Sequence, residues 1–305
     1  MEQSTLDWLM EGDRAIRWQT MRDLLDAPEA EWNAERDRVA DEGWGAALLA
    51  FQLPDASWPA GRWTDTTWTL LLLMDFGLPP SNAGARRAVE EHYLSRPIIR
   101  DEKLLTTRLD LCHVGFWLRF GSYFYGTDER LLPLVRTILN LQMEDGGWNC
   151  RRRNYPDTKH SSFHTTFNVL EGLREAAHMG LLDAEEFRGV ETLAMEFMLQ
   201  HRMYKSDKTD AVISERFTHL SFPSHWHYTV LRGLDYMRDT VEIMDARLDE
   251  PCKLLQSRMK ANGRWPVEHR IPGKMLIDME KMGGDSRWNT LRALRVLRNR
   301  SGPLP

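Results

Sequence analysis

The stretch ILNLQMEDGGW (Ile138–Trp148), resumed after a loop by HTTFNVLEGL (His164–Leu173), reads as an apolar-periodic helix, a glycine turn closed by Trp, and a second helix. The layout recurs upstream as LLAFQLPDASW (Leu48–Trp58) and DTTWTLLLLM (Asp65–Met74). It recurs downstream as LLQSRMKANGRW (Leu254–Trp265) and DSRWNTLRALRVL (Asp285–Leu297). Gln52 and Gln142 each precede their Trp by six residues, and Met259 holds that place in the third copy. Two degenerate copies follow the same plan. LAMEFMLQHR (Leu193–Arg202) leads to HWHYTVLRGLDYM (His225–Met237), and Ala85–Leu94 leads to DLCHVGFWLRFGSYF (Asp110–Phe124). One more hairpin lies in Arg14–Asp41, opened by Asp13 as an N-cap and broken near Ala27-Pro28.

About six helical hairpins and no convincing strand imply an all-α chain. The second helices (Thr66–Phe76, Leu111–Phe124, Thr165–His178, Trp226–Arg238) are apolar on more than one face and belong inside. First helices such as Ala184–His201 carry a charged face and belong outside. An inner ring within an outer ring predicts an (α/α)6 toroid. It would be a single domain over 1–305, with residues 1–42 as the N-terminal hairpin and 43–299 as the repeats.

Composition bounds the function. The 305 residues are 42% hydrophobic and 28% charged, with a mean hydropathy of -0.50, which is ordinary for a globular chain. A net charge of -5 and a pI near 6.1 argue against a nucleic-acid partner. Twelve Trp and fifteen Met can fill a core or line a pocket for an apolar ligand. Three scattered cysteines (Cys112, Cys150, Cys252) make no disulfide framework. No signal peptide or transmembrane run is visible, so a cytoplasmic protein is expected.

The QMEDGGW motif at Gln142–Trp148, echoed at Gln52–Trp58 and around Trp265, resembles the QW repeat of squalene and oxidosqualene cyclases and prenyltransferase β-subunits. The resemblance runs from Gly43 to Arg298. It implies a small single-domain squalene-cyclase-like protein: an isomerase or transferase with an isoprenoid or other apolar substrate. The Asp-x-Asp-Asp acid motif of squalene-hopene cyclases is missing from the corresponding TDTTWTLLLL and FHTTFNVLEGL, where Asp65 and His164 take the place of its last acid. No Asp-rich metal-diphosphate motif appears either. FHT at Phe163–Thr165 is similar to the setting of the zinc-binding His in prenyltransferase β-subunits.

Aligning the second helices on Trp68, Phe167, Tyr228 and Trp288 puts Asp65, His164, His225 and Asp285 at one place, near the helix N-termini, and Asp110 joins them. In a toroid they would ring one mouth, where helix dipoles favour an anion. For Asp65 and Asp285 the competing role is a plain N-cap. The histidines His164, His225 and His227 make poorer caps. Cys112 and His113 in the DLCH run, with His164, form a candidate metal set that zinc or magnesium could occupy. Long loops cover the same end. One carries Arg151, Arg152, Arg153 and Lys159, a candidate clamp for phosphate or carboxylate. Another carries the acid/base candidates Glu268, His269, Asp278 and Glu280.

Three functions fit. In the first, Asp65 or Asp110 protonates an apolar substrate and His164 or His227 acts as base. The substrate is held by Trp68, Phe116, Trp117, Phe163, Phe167, Trp226, Tyr228 and Trp288, whose π faces stabilise a carbocation. The second is a non-catalytic toroid that binds an apolar ligand. The third is a carbohydrate-active lyase or hydrolase using His227, Tyr228 and Arg232.

Overall fold

One hydrogen-bond pattern holds all three repeat turns in the computed structural model, which describes residues 3–238, 240 and 245–301. Leu53, Met143 and Lys260 donate their N–H groups to the carbonyls of Ser57, Gly147 and Arg264 at 2.8, 2.9 and 2.9 Å. Each turn then passes through the left-handed region, at Ala56 (φ 61°), Gly146 (φ 93°) and Gly263 (φ 72°). Glycine suits that conformation, and at Gly146 a Cβ would also meet the Leu193 carbonyl carbon at 2.7 Å.

The recurring Gln and Trp have separate tasks. The Gln52 amide donates to the carbonyls of Ala56 and Gly84, both at 2.9 Å. The Gln142 amide donates to Gly146 (2.7 Å) and Val190 (3.1 Å). Each thus staples its own turn to a later helix. The indoles of Trp148 and Trp265 donate ten residues back, to the carbonyls of Ile138 and Leu255, both at 2.8 Å. The backbone N–H of each repeat Trp donates to a threonine hydroxyl in the second helix: Trp58 to Thr66, Trp148 to Thr166, Trp265 to Thr290 (3.1, 3.0 and 3.0 Å).

Those threonines fix the register between copies. Asp65, Thr165 and Asn289 are equivalent, each one residue before its threonine. The aromatic alignment is therefore one residue out for His164 and four out for Asp285. Aromatic identity varies with local packing, whereas the Trp-to-Thr bond does not.

Among the described residues the elements are helical, apart from isolated bridges at Lys205–Val212 and Pro266–Asp285. In chain order they begin α1 (Gln3–Met10), α2 (Arg14–Asp23), α3 (Glu29–Asp37), α4 (Gly43–Leu49), α5 (Thr66–Phe76), α6 (Ala83–Val89) and α7 (Glu102–Arg108). Then come α8 (Leu111–Tyr125), α9 (Leu132–Asn140), α10 (Phe163–His178) and α11 (Ala184–Gln200). The last are α12 (Glu215–Thr218), α13 (Val230–Met237), α14 (Asp249–Ser257) and α15 (Arg287–Ser301). No described helix is long and apolar enough to cross a membrane.

Two compact units make up the chain: Met1–Phe51 with Asp75–Pro79 and Leu199–Pro305, and Gln52–Met74 with Pro80–Met198. In the first, Asp13 caps α2 as expected, accepting from Ala15 N–H, and also accepts from Trp44 N–H at 2.7 Å. Helix α13 starts at Val230, capped by Thr229, and not at Trp226. His225 sits in the preceding turn with φ 48°, outside any helix. In the second unit α8 and α10 pack back to back, and glycines allow it. A Cβ on Gly115 would meet the Asn168 carbonyl oxygen at 2.6 Å, and one on Gly172 would collide with the Gly115 carbonyl.

Candidate functional site

Helices α5 and α8 of the second unit start beside an open pocket of about 400 Å³ whose wall includes Asp65, Thr67, Tyr93, Arg96, His113 and Trp117. Asp65 is the N-cap of α5. Its Oδ1 accepts from the N–H groups of Thr67 (3.0 Å) and Trp68 (3.4 Å), and among the described residues Oδ2 takes no hydrogen bond. One oxygen caps the helix and the other can carry a proton. Burial raises the Asp65 carboxyl above 3.8, against the lowering effect of the two N–H groups and the charge of His113. Burial likewise holds His113 below 6.5, although Asp110 and Asp65 pull it up. The pocket thus holds a carboxyl that burial raises and an imidazole that burial lowers, each shift opposing the charged form.

Aromatic rings back the pair. Trp68 meets Trp63 and Phe116 edge-on, each at 5.2 Å between centroids, and His113 meets Phe116 at 6.0 Å. Tyr93 packs on Trp117 at 5.1 Å, and its hydroxyl shares a 2.9 Å hydrogen bond with Thr67. Tyr93 and Arg96 escaped the sequence reading because Tyr93 fell in the first helix of a degenerate copy and Arg96 just beyond it, where no repeat residue marks a site. His113 entered it as a metal ligand, not as a partner of Asp65.

The candidate metal set does not come together. Among the described residues no three His, Cys, Asp or Glu side chains come together to hold a metal ion. Cys112 meets Cys150 instead, Sγ to Sγ at 3.0 Å, and accompanies Thr165 Oγ1 at 3.6 Å. Two thiols are too few for zinc's usual four ligands, so Cys112, His113 and His164 do not fit a zinc site as placed. Cys150 accepts from Cys112 N–H at 3.2 Å and from the Thr165 hydroxyl at 3.3 Å. The contact with Cys112, reinforced by Thr165 and opposed by burial, lowers the Cys150 thiol to about 7, while the Cys112 thiol is pushed well up.

The other predicted residues take varied places. Asp110 opens α8 without a capping side-chain bond and pairs with Arg153 at 3.0 Å. Arg151 lies over the Tyr155 ring at 4.7 Å. Arg152 and Arg153 line a separate cavity of about 240 Å³ with Cys150. His164 is partly buried in the first turn of α10, and Phe167, on the same helix, is fully buried.

In the first unit Trp226 and His227 stack at 3.8 Å. Tyr228 is 1% exposed and donates to the Met203 carbonyl at 2.8 Å, while Arg232 donates to the carbonyls of His225 and His227. Tyr228 and Arg232 of the His227/Tyr228/Arg232 set are therefore engaged with backbone carbonyls within the fold. Trp288 stacks on Phe222 at 4.1 Å and is also core, not a free substrate wall.

Asp285 caps nothing; it pairs with Lys260 at 2.7 Å, and Ser286 caps α15 through Asn289 N–H (2.9 Å). From the loop, Glu280 accepts from the Ser286 hydroxyl (2.5 Å) on one oxygen and from Trp288 N–H (3.2 Å) on the other. Glu268 accepts from Leu220 N–H at 2.9 Å, and Asp278 is 98% exposed. His269 faces His219 at 6.0 Å.

Compared with protein-family models, curated proteins and solved structures, the chain matches none.

Proposed function

We propose that this chain is a terpenoid-cyclase- or prenyltransferase-like protein, its hairpins closed into an (α/α)6 toroid, that works on an isoprenoid or other apolar substrate by acid/base chemistry. Asp65 carries the reading: a carboxyl raised by burial, with one oxygen unspent, in one pocket wall with His113, which burial lowers, and with the rings of Tyr93 and Trp117. The proton leaves Asp65 Oδ2 for an alkene carbon and produces a carbocation. The rings of Tyr93 and Trp117, in the same pocket wall, stabilise it by about 0.5–2 kcal/mol each. His113 then takes a proton from the neighbouring carbon, which restores a double bond and completes an isomerisation. The repeated Gln staple and Trp plug support the toroid, since each joins its hairpin to a later helix or closes its own turn.

The test is incubation of the purified chain with squalene and with geranylgeranyl diphosphate, followed by product analysis. Conversion by the wild type, lost in Asp65→Asn, is the expected result. Absence of both binding and turnover, or turnover that survives in Asp65→Asn, overturns the proposal. Binding without turnover selects the non-catalytic toroid. One observation favours a second reading: the Asp65 pocket is open and partly polar, with Glu91, His92 and Arg96 in its wall. A polar polyhydroxy substrate would suit that wall, and cleavage of an oligosaccharide panel dependent on Asp65 selects it.

A further inference from the structure

We propose that Cys112 and Cys150 are a redox-active dithiol, with Cys150 the attacking thiol and Cys112 the resolving one, acting on a small disulfide that carries carboxylate groups. Both cysteines are free, and their sulfurs touch across 3.0 Å although 38 residues separate them in sequence. Cys112 is the second residue of α8 and Cys150 opens the turn Cys150–Arg153, so the pair clips a loop to a helix start. The disulfide bond length is about 2.05 Å, so closure asks the sulfurs to approach by only about 1 Å.

The surroundings divide the roles. Cys150 lines the cavity of about 240 Å³, whose wall combines Leu105 and Leu109 with Asn149, Arg152 and Arg153. A carboxylate-bearing disulfide finds the Arg152 guanidinium there, with Arg153 beside it paired to Asp110, and an apolar floor for its chain. The Cys112 N–H and the Thr165 hydroxyl, both donating to Cys150 Sγ, favour its thiolate. Cys112 is not in the cavity wall.

The Cys150 thiolate attacks one sulfur of R–S–S–R, forms Cys150–S–S–R and expels RS⁻, which is protonated to RSH. Cys112 gives up its proton and attacks the Cys150 sulfur, so a second RSH leaves and a Cys112–Cys150 disulfide forms. Two electrons pass from the protein to the substrate disulfide, and excess thiol reverses the sequence.

Oxidised glutathione is the probe, applied to the full-length chain and followed by intact mass and peptide mapping. The wild type should lose two hydrogens, retain no glutathione and yield a Cys112–Cys150 cross-linked peptide. Cys112→Ser should trap one glutathione on Cys150, and Cys150→Ser should form no adduct. Replacing Arg152 and Arg153 by Ala should slow the reaction with oxidised glutathione about tenfold and leave that with neutral hydroxyethyl disulfide unchanged. The wild-type measurement needs no variant to fold. If the treated wild type keeps both thiols, or if the Cys112→Ser adduct sits on Cys252, the proposal fails.

Discussion

Asp65 and Glu280 are two carboxyls near helix starts, both raised by burial, yet their surroundings give them opposite uses. Asp65 spends one oxygen on the α5 cap and borders about 400 Å³ of open space. Glu280 spends both oxygens, on the Ser286 hydroxyl and Trp288 N–H, and borders a far smaller gap of about 30 Å³. Burial alone therefore does not mark an acid catalyst. In the proposed function the mark is an unspent oxygen with room for a substrate.

Turnover offers the sharpest way to break that contrast. Asp65→Asn keeps an oxygen for the cap and removes the transferable proton. Its rate on any accepted substrate should fall about 10²–10⁴-fold. Glu280→Gln should leave the rate per folded molecule unchanged. Steady-state assays of both, normalised to the folded fraction by circular dichroism, decide it; equal losses would erase the distinction.

A third kind of buried acid sharpens it next. In the first unit Asp23 and Asp235 surround Arg295, which pairs with Asp23 at 3.0 Å and also binds Asp235. Burial raises Asp23, but the Arg22 hydrogen bond and the charges of Arg295 and Arg238 outweigh it and bring it to about 2. Asp235 is lowered as well. Arg295→Met removes the cation the two carboxylates share, leaving Asp23 to Arg22 and Asp235 to the more distant Arg292 and Arg238, and should cost about 1.5–3 kcal/mol, measured by urea unfolding at pH 7. The cluster's contribution is present above 3.8, the unfolded value for Asp, and disappears as pH falls towards about 2. The variant's deficit should therefore narrow over that range.

Glu280→Gln tests the same idea on a smaller scale. The amide presents one acceptor where two donors point, so the variant should lose about 1–3 kcal/mol in chemical denaturation. No loss would mean that one of the two bonds carries nothing.

The scaffold was more legible in the sequence than the site. Gln142, Trp148 and Gly146 are each fixed by a bond or a φ value that few other residues can supply, so their spacing survives as a pattern. The second helices were found for the same reason, except where His225 and Trp226 read as helix although the chain turns there. The site was legible only in part. Asp65 stood out because it opens a repeat helix, but His113, Tyr93 and Arg96 reach the pocket through packing that no spacing records. Cys150 was counted without a partner, since 38 residues hide its meeting with Cys112. The register of the polar residues was misread because aromatic side chains are interchangeable in a core, and the threonine that receives the Trp N–H looked unremarkable.

The smallest expected effect concerns stability at Asp65 and tests the cause of its raised pKa. Because burial raises the folded-state value above 3.8, the wild type is free of penalty below 3.8, where both folded and unfolded chains are protonated. Its stability falls as pH rises through the folded value, since ionising a partly buried carboxyl costs more than ionising a solvated one. Asp65→Asn carries no such penalty and retains the cap oxygen. Its melting temperature relative to wild type should therefore be higher at pH 7 than at pH 3, with the difference narrowing as the wild-type carboxyl becomes protonated. A difference that instead widened on acidification would mean that the Thr67 and Trp68 N–H groups, and not burial, govern this carboxyl. Asp65 would then be a strong cap and a poor proton donor.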